Sequence, residues 1–224
     1  MAAAGFCHYV STPFGQTGSG MAIFSKYEIK NWNFIDWFDW TGEGDRLLDP
    51  EATADKGVMY AKIEKDGENY HIFDTHTQSN SMREHHDTRL GQYRKIQQFA
   101  KSLKLNPTEL ILFGGDFNED KYKHGNQQKY YKEMLEELHA VEPELKTNLK
   151  DSLSTDANPF LANLWAGTRT EHFVELLDYI LVSTEGKQPR TSYCQILKPQ
   201  WPKDCSKAEC MLSDHFPNTC TFED

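Results

Sequence analysis

Short apolar runs bounded by turn formers recur along the chain, and two longer stretches with helical spacing lie among them. Residues 20–25 (GMAIFS) form the first run, compact enough for a buried strand. Residues 56–63 (KGVMYAKI) and 69–75 (NYHIFDT) are strand-like and flank Lys65-Asp66-Gly67-Glu68, and an Asp-Gly between two such runs predicts a β-hairpin. From Ser81 to Leu105 the spacing changes. Leu90, Tyr93, Ile96, Phe99 and Leu103 fall on one stripe of a helix, which Asn106-Pro107 ends. Glu109 to Phe113 (ELILF) is another buried strand and runs straight into Gly114-Gly115-Asp116. The pattern then predicts an amphipathic helix over 127–141, a strand over Leu176–Ser183 and a last strand over 216–222. Strands and helices in mixed order, with hairpins among them, indicate an α/β protein on mixed sheets. No repeat, low-complexity tract or Pro/Gly-rich linker divides the sequence, so a single domain over residues 1–224 is expected.

Composition narrows the partners. With 38% hydrophobic, 12% aromatic and 26% charged residues in 224, the chain is of the soluble globular kind and long enough to bury a core. A net charge of −10 gives little long-range attraction towards a polyanion, so nucleic acid is not expected as a partner. No stretch approaches the roughly 18 apolar residues of a bilayer span. The opening MAAAGFCHYV lacks the basic and apolar regions of a secretory signal. Cys7 stands alone, whereas Cys194, Cys205, Cys210 and Cys220 crowd the last quarter. Those four fit two disulfides in an oxidising compartment and equally fit buried thiols in a cytosolic one. Zinc is disfavoured, because no C-x-x-C pair is present.

Three segments place polar, titratable groups at the end of a buried strand: Asp74-Thr75-His76-Thr77-Gln78, Gly114-Gly115-Asp116-Phe117-Asn118 and Ser213-Asp214-His215-Phe216-Pro217. A fourth group, Asp178, interrupts the apolar run LLDYILVS. A carboxylate buried in a strand costs several kcal/mol unless paired, so Asp178 implies a partner, and a histidine is the natural one. Singly, each has an ordinary reading: a loop histidine, an Asx turn, a capped strand end, a carboxylate held by backbone donors. Four such coincidences in this order are much less probable than any one alone.

Gly-Asp-x-Asn, Leu-Asp-Tyr in a strand and a terminal Ser-Asp-His-x-Pro together resemble the endonuclease/exonuclease/phosphatase superfamily. The fuller segments SGMAIFSKYEI, ADKGVMYAKIEKDGENYHIFDTHTQ, Arg89-x-x-Gln92, LILFGGDFNED, ELLDYILVS and LSDHFP are similar to its sphingomyelinase C branch, over roughly residues 5–222. The resemblance implies a two-sheet α/β sandwich and Mg²⁺- or Mn²⁺-dependent cleavage of sphingomyelin, or a related phospholipid at a membrane surface, into phosphocholine and ceramide. It implies that Asp116 holds the nucleophilic water, that Asn118 fixes the phosphate or its water, and that His215 is the general base oriented by Asp178. It further implies Asp214 at the metal with Asp116, and His76 on the phosphoryl oxygens or acting as acid. Lys56 is a lesser candidate for phosphate contact, beside its ordinary reading as a solvated hairpin lysine.

The family's principal metal ligands, an Asn and a Glu on earlier strands, have no counterpart here. Glu28 and Glu43 follow the wrong strand. An N-terminally truncated chain lacking core strands of one sheet is therefore expected, with reduced metal affinity and activity and an unpaired apolar edge. Trp32, Phe34, Trp37, Phe38 and Trp40 crowd ten residues, and are read as a self-packed surface subdomain or a membrane-contact loop. Trp37, Phe38, Trp40 and, before Ser213, Trp201 are the lipid-contact candidates. Cys205 and Cys210 are a possible pair across the base of the Trp201 loop. The family resemblance implies an extracellular or membrane-associated protein. Rival functions are a nuclease or phosphoinositide phosphatase of the same fold, and a non-catalytic lipid-binding relative.

Overall fold

Asp66 and Gly67 take positive φ values of 55° and 83°, and the chain reverses there between two nine-residue strands. This is the hairpin that the Asp-Gly predicts. The computed structural model describes residues 5–12, 19–37, 56–79, 83–122, 127–146, 175–197 and 215–224. Within them lie β1 (His8–Ser11), β2 (Ala22–Ser25), β3 (Glu28–Asp36), β4 (Gly57–Lys65), β5 (Glu68–His76), α1 (Arg83–Ser102) and β6 (Leu110–Asp116). There follow α2 (Gln127–Glu137), β7 (Ala140–Val141), β8 (Glu144–Leu145), β9 (Asp178–Ser183), β10 (Thr191–Ile196) and β11 (Asn218–Glu223). The main sheet has the order β3-β4-β5-β6-β9-β7. A three-stranded sheet, β11-β10-β8, and a two-stranded sheet, β1-β2, accompany it.

The period of two in the strands sorts the main sheet into two apolar faces. Val58, Tyr60, Phe73, Ile111, Phe113, Tyr179 and Leu181 point to one side, where Tyr93, Ile96 and Phe99 of α1 and Tyr131 and Met134 of α2 cover them. Burial of each such aromatic or aliphatic side chain contributes about 1.5–3 kcal/mol. The other face carries Met59 and Ala61, packed with Val10 and Ile23 of the β1–β2 pair. It also carries Leu110, Leu112 and Val182, against which Phe222 of β11 packs. Ile72 contributes to both clusters on that face. The result is helices on one side of a central sheet and smaller sheets on the other, the α/β sandwich expected from the family resemblance.

Several expectations change. Trp32 and Phe34 belong to β3, opposite Ala61 and Met59, and not to a self-packed surface subdomain. Trp37 is 1% exposed and its indole Nε1 donates to the His76 carbonyl at 2.9 Å, so it does not contact a membrane. An indole this deeply buried needs such an acceptor, and the His76 carbonyl supplies it. Phe38, Trp40, Trp201 and Asp214 lie outside the described residues. Lys56 is not a solvated hairpin lysine: it is 7% exposed, and its Nζ donates to the Thr77 carbonyl at 3.4 Å. Cys194 and Cys220 face each other across β10 and β11 and form a disulfide, and Cys7 is an exposed free thiol. Cys205 and Cys210 also lie outside the described residues. Among the described residues no helix is long and apolar enough to cross a membrane.

Candidate active site

Register brings the polar strand ends together. β5 and β6 run parallel with His76 opposite Asp116, and β9 runs antiparallel to β6 with Asp178 opposite Asp116. Three titratable side chains thus stand in one row at a single edge of the sheet, where parallel strands end and loops begin. His76 Nε2 lies 3.5 Å from Asp116 Oδ2. His215, three residues before β11, joins the row from another layer: its Nδ1 is 2.7 Å from Asp178 Oδ2. Asn218 reinforces this junction, its Nδ2 donating to the Asp178 carbonyl at 3.2 Å.

The Gly-Gly-Asp-x-Asn segment has a steric explanation. Gly115 has φ 127°, and a Cβ there would sit 2.0 Å from the Thr75 carbonyl oxygen, so only glycine lets β6 run this close to β5. Past Asp116 the chain turns sharply. Asn118 adopts φ 52°, a left-handed conformation that asparagine tolerates. Its backbone N–H donates to Asp116 Oδ1 at 2.9 Å, and its Nδ2 to the Thr77 carbonyl at 3.2 Å. That carbonyl also accepts from Lys56 Nζ, so ammonium and amide converge on one oxygen. Thr77 N–H donates to the Asp116 carbonyl at 3.0 Å, and Phe117 N–H to the Leu177 carbonyl at 2.9 Å. The loops after β5 and β6 and the start of β9 are thereby tied together by backbone bonds.

Electrostatics sets this edge apart. Burial, and secondarily the charge of Asp178, push the Asp116 carboxyl above the usual range, against the opposing pull of His76 and His215. Asp74, two residues before His76 on the same face of β5, is pushed up to about 7 by burial, which its bond from the Thr75 backbone only partly offsets. One ligand atom from each of Asp116, Asp178 and His215 falls within 4.8 Å of the others. Because His215 Nδ1 is committed to Asp178, the donors best suited to a cation are carboxylate oxygens, the ligands a hard divalent ion prefers. Two acids held side by side against the cost of burial also call for positive charge. The residues present fit a magnesium-type ion.

Of the candidates, His76, Asp116, Asn118, Asp178, His215 and Lys56 gather at this edge, and Trp37 stands behind it through the His76 carbonyl. The sequence reading gave no role to Asp74, nor to a buried polar group on α1 comprising His86, Arg89 and Gln92. Their signal was a spacing of three among polar residues beside the apolar stripe, where solvent-facing positions would otherwise be read.

Residues 1–215 match the model of the Endonuclease/Exonuclease/phosphatase family. The chain is similar to a phospholipase C of Staphylococcus aureus, 32% identical over 175 residues, covering 76% of this chain and 48% of that protein. It is 29% identical over 216 residues to a sphingomyelinase C of Listeria ivanovii, covering 91% of this chain and 59% of that one. A crystal structure of a Staphylococcus aureus beta toxin variant with bound magnesium ions superposes with a TM-score of 0.70 at 26% identity, over 92% of this chain and 69% of the toxin. The chain thus spans about half the length of the curated relatives it matches. The match over residues 1–215, together with the sandwich and the row of acids and histidines it carries, makes this chain a member of the endonuclease/exonuclease/phosphatase family.

Proposed function

We propose that this site hydrolyses a phosphodiester, and that the substrate is sphingomyelin or a closely related phospholipid at a membrane surface, cleaved to phosphocholine and the lipid alcohol. The observation that carries the reading is the 2.7 Å His215–Asp178 pair standing beside Asp116 and Asn118. Asp178 accepts from Nδ1–H of His215, which leaves the lone pair of the neutral ring on Nε2. That nitrogen takes the proton of a water as the water oxygen bonds to phosphorus, with Asp116 orienting the water. Asn118 Nδ2 and His76 address the non-bridging oxygens. As the bond from phosphorus to the lipid oxygen breaks, His76 delivers the proton that the leaving alkoxide requires. The Lys56 ammonium, beside the carbonyl shared with Asn118, adds positive charge for the phosphate. Asp116 and, as the family resemblance implies, Asp214 would hold a magnesium or manganese ion, which would supply further neutralisation of phosphoryl charge.

The lipid substrate is supported by the names of the relatives and by the net charge of −10, which opposes a polyanionic one. The same names, with the Cys194–Cys220 disulfide, support an extracellular or membrane-surface setting. Phe38, Trp40 and Trp201 are the proposed lipid contacts. The test is phosphocholine release from sphingomyelin vesicles in Mg²⁺ and in EDTA, with a single-stranded oligonucleotide as the competing substrate. Metal-dependent phosphocholine release is expected. Cleavage of the oligonucleotide alone would overturn the lipid assignment, and cleavage of neither would overturn the catalytic one.

A further inference from the structure

Helix α1 buries three polar side chains, His86, Arg89 and Gln92, where its partners are the loops of the site. Arg89 is 1% exposed. Its Nε donates to Glu119 Oε1 at 2.6 Å and its Nη1 to the Gln78 carbonyl at 2.9 Å. Gln92 Oε1 accepts from Gln78 N–H at 2.9 Å. Glu119 Oε1 also meets His86 Nδ1 at 2.6 Å, and the other ring nitrogen of His86 reaches Glu133 Oε2 of α2 at 2.8 Å. Gln78 lies two residues beyond His76, and Glu119 is the neighbour of Asn118. A single guanidinium therefore bridges the loop that follows one candidate group and the loop that carries another.

Apolar contact would hold a helix on a sheet at lower cost, because a buried ion pair is often no more stabilising than hydrophobic side chains of the same volume. What the fork supplies is direction. Two bonds from one planar group fix the distance between Glu119 and the Gln78 carbonyl, which packing alone leaves adjustable. We propose that Arg89 is a positioning residue: through Glu119 and Gln78 it sets the spacing between His76 and the Asp116–Asn118 turn. The inference rests on the phosphodiester hydrolysis proposed above. Arg89 acts through its neighbours Glu119 and Gln78.

The test uses Arg89→Lys, which keeps the charge and loses the fork, with steady-state kinetics on a soluble nitrophenylphosphorylcholine. The expected result is a fall in kcat of about 10–100-fold, the penalty of a misplacement near 1 Å, with KM changed less than about twofold. In a His76→Ala background the same substitution should cost almost nothing further, because the spacing it disturbs no longer serves a proton or a bond. Gln92→Leu, which removes the acceptor for Gln78 N–H, gives a second reading should Arg89→Lys not fold; its kcat should drop several-fold. A lowered melting temperature with unchanged kcat, or an equal loss in both backgrounds, would overturn the proposal and leave a structural ion pair. If the unsubstituted chain hydrolyses nothing, the functional reading fails first, and crystal structures then decide. His76 Nε2–Asp116 Oδ2 at 3.5 Å and Asn118 Nδ2–Thr77 O at 3.2 Å should both lengthen in the variant. Distances that do not change would sink the positioning role by themselves.

Discussion

Two histidines hold a carboxylate at the same distance near opposite ends of the main sheet. His71 Nε2 is 2.7 Å from Glu109 Oε2, and His215 Nδ1 is 2.7 Å from Asp178 Oδ2. The first pair is closed. The His71 side chain is 3% exposed, its Nδ1 meets the Tyr60 hydroxyl at 2.9 Å, and the second oxygen of Glu109 accepts from Asn69 Nδ2 at 2.6 Å. Burial, with Glu109 nearby, pushes the Tyr60 hydroxyl up to about 12, so it stays a donor. Its proton goes to Nδ1 and the Nε2 proton to Glu109. The second pair is open. The His215 side chain is 26% exposed, and the Asp116 carboxylate stands beside Asp178 with two like charges to reconcile. The distance between the partners therefore says nothing about role. What separates a structural histidine from a chemical one here is access to solvent and the second carboxylate standing beside the pair.

Three substitutions test that contrast. His215→Ala has the largest expected effect. Phosphodiester hydrolysis should fall about 10²–10⁴-fold, the usual worth of a general base, with little change in the urea midpoint. A loss of stability with activity retained would make the open pair structural as well. His71→Phe should do the reverse. Leaving Tyr60 and Glu109 without their shared partner costs about 2–4 kcal/mol in urea unfolding, while hydrolysis per folded molecule stays the same. A drop in kcat there would show that the two ends of the sheet communicate.

Asp74→Asn sharpens the contrast with a carboxylate that has no imidazole partner described. Its folded-state value of about 7 lies above the unfolded one, near ~3.9, so the folded chain holds this proton more tightly. Stability from this group is full at pH below about 4 and declines as pH rises through about 7. The asparagine should remove that decline, leaving the variant more stable than the parent at pH 8 by on the order of 4 kcal/mol and little different at pH 4. Urea unfolding in EDTA at the two pH values measures it. Equal differences at both would mean that folding leaves the Asp74 carboxyl unshifted.

How much of this was legible depended on whether side-chain pattern and local chemistry agreed. The hairpin of β4 and β5 and the strand into Gly114-Gly115-Asp116 could be read because apolar runs and turn residues coincide there. The pairing of Asp178 with a histidine followed from the cost of a carboxylate in an apolar strand, and the geometry supplies His215. β3 was missed because its exposed positions include Asn31, Asn33 and Asp36, so an aromatic-rich edge strand looked like a loop. β1 and β10 are four and six residues long with polar content, too short for a period to stand out. α1 ends at Ser102, short of Leu105, and α2 at Glu137, where Leu138 and His139 turn the chain into β7. Trp37 failed as a surface residue because sequence gives no sign of the carbonyl waiting for its indole. The Arg89 fork was illegible for the same reason: its partners are 11 and 30 residues distant, and one is a backbone oxygen.

The Cys194–Cys220 bridge, with a sequence separation of 26, sits two residues inside the Ile196–Asn218 pair at which the chain leaves β10 and enters β11. Whatever lies between 198 and 214 starts and finishes at feet bolted to one another. Loop-closure cost grows only slowly with length, so once the bridge has fixed where the chain leaves β10 and where it returns to β11, the position of His215 beside Asp178 depends little on how many residues join those two points.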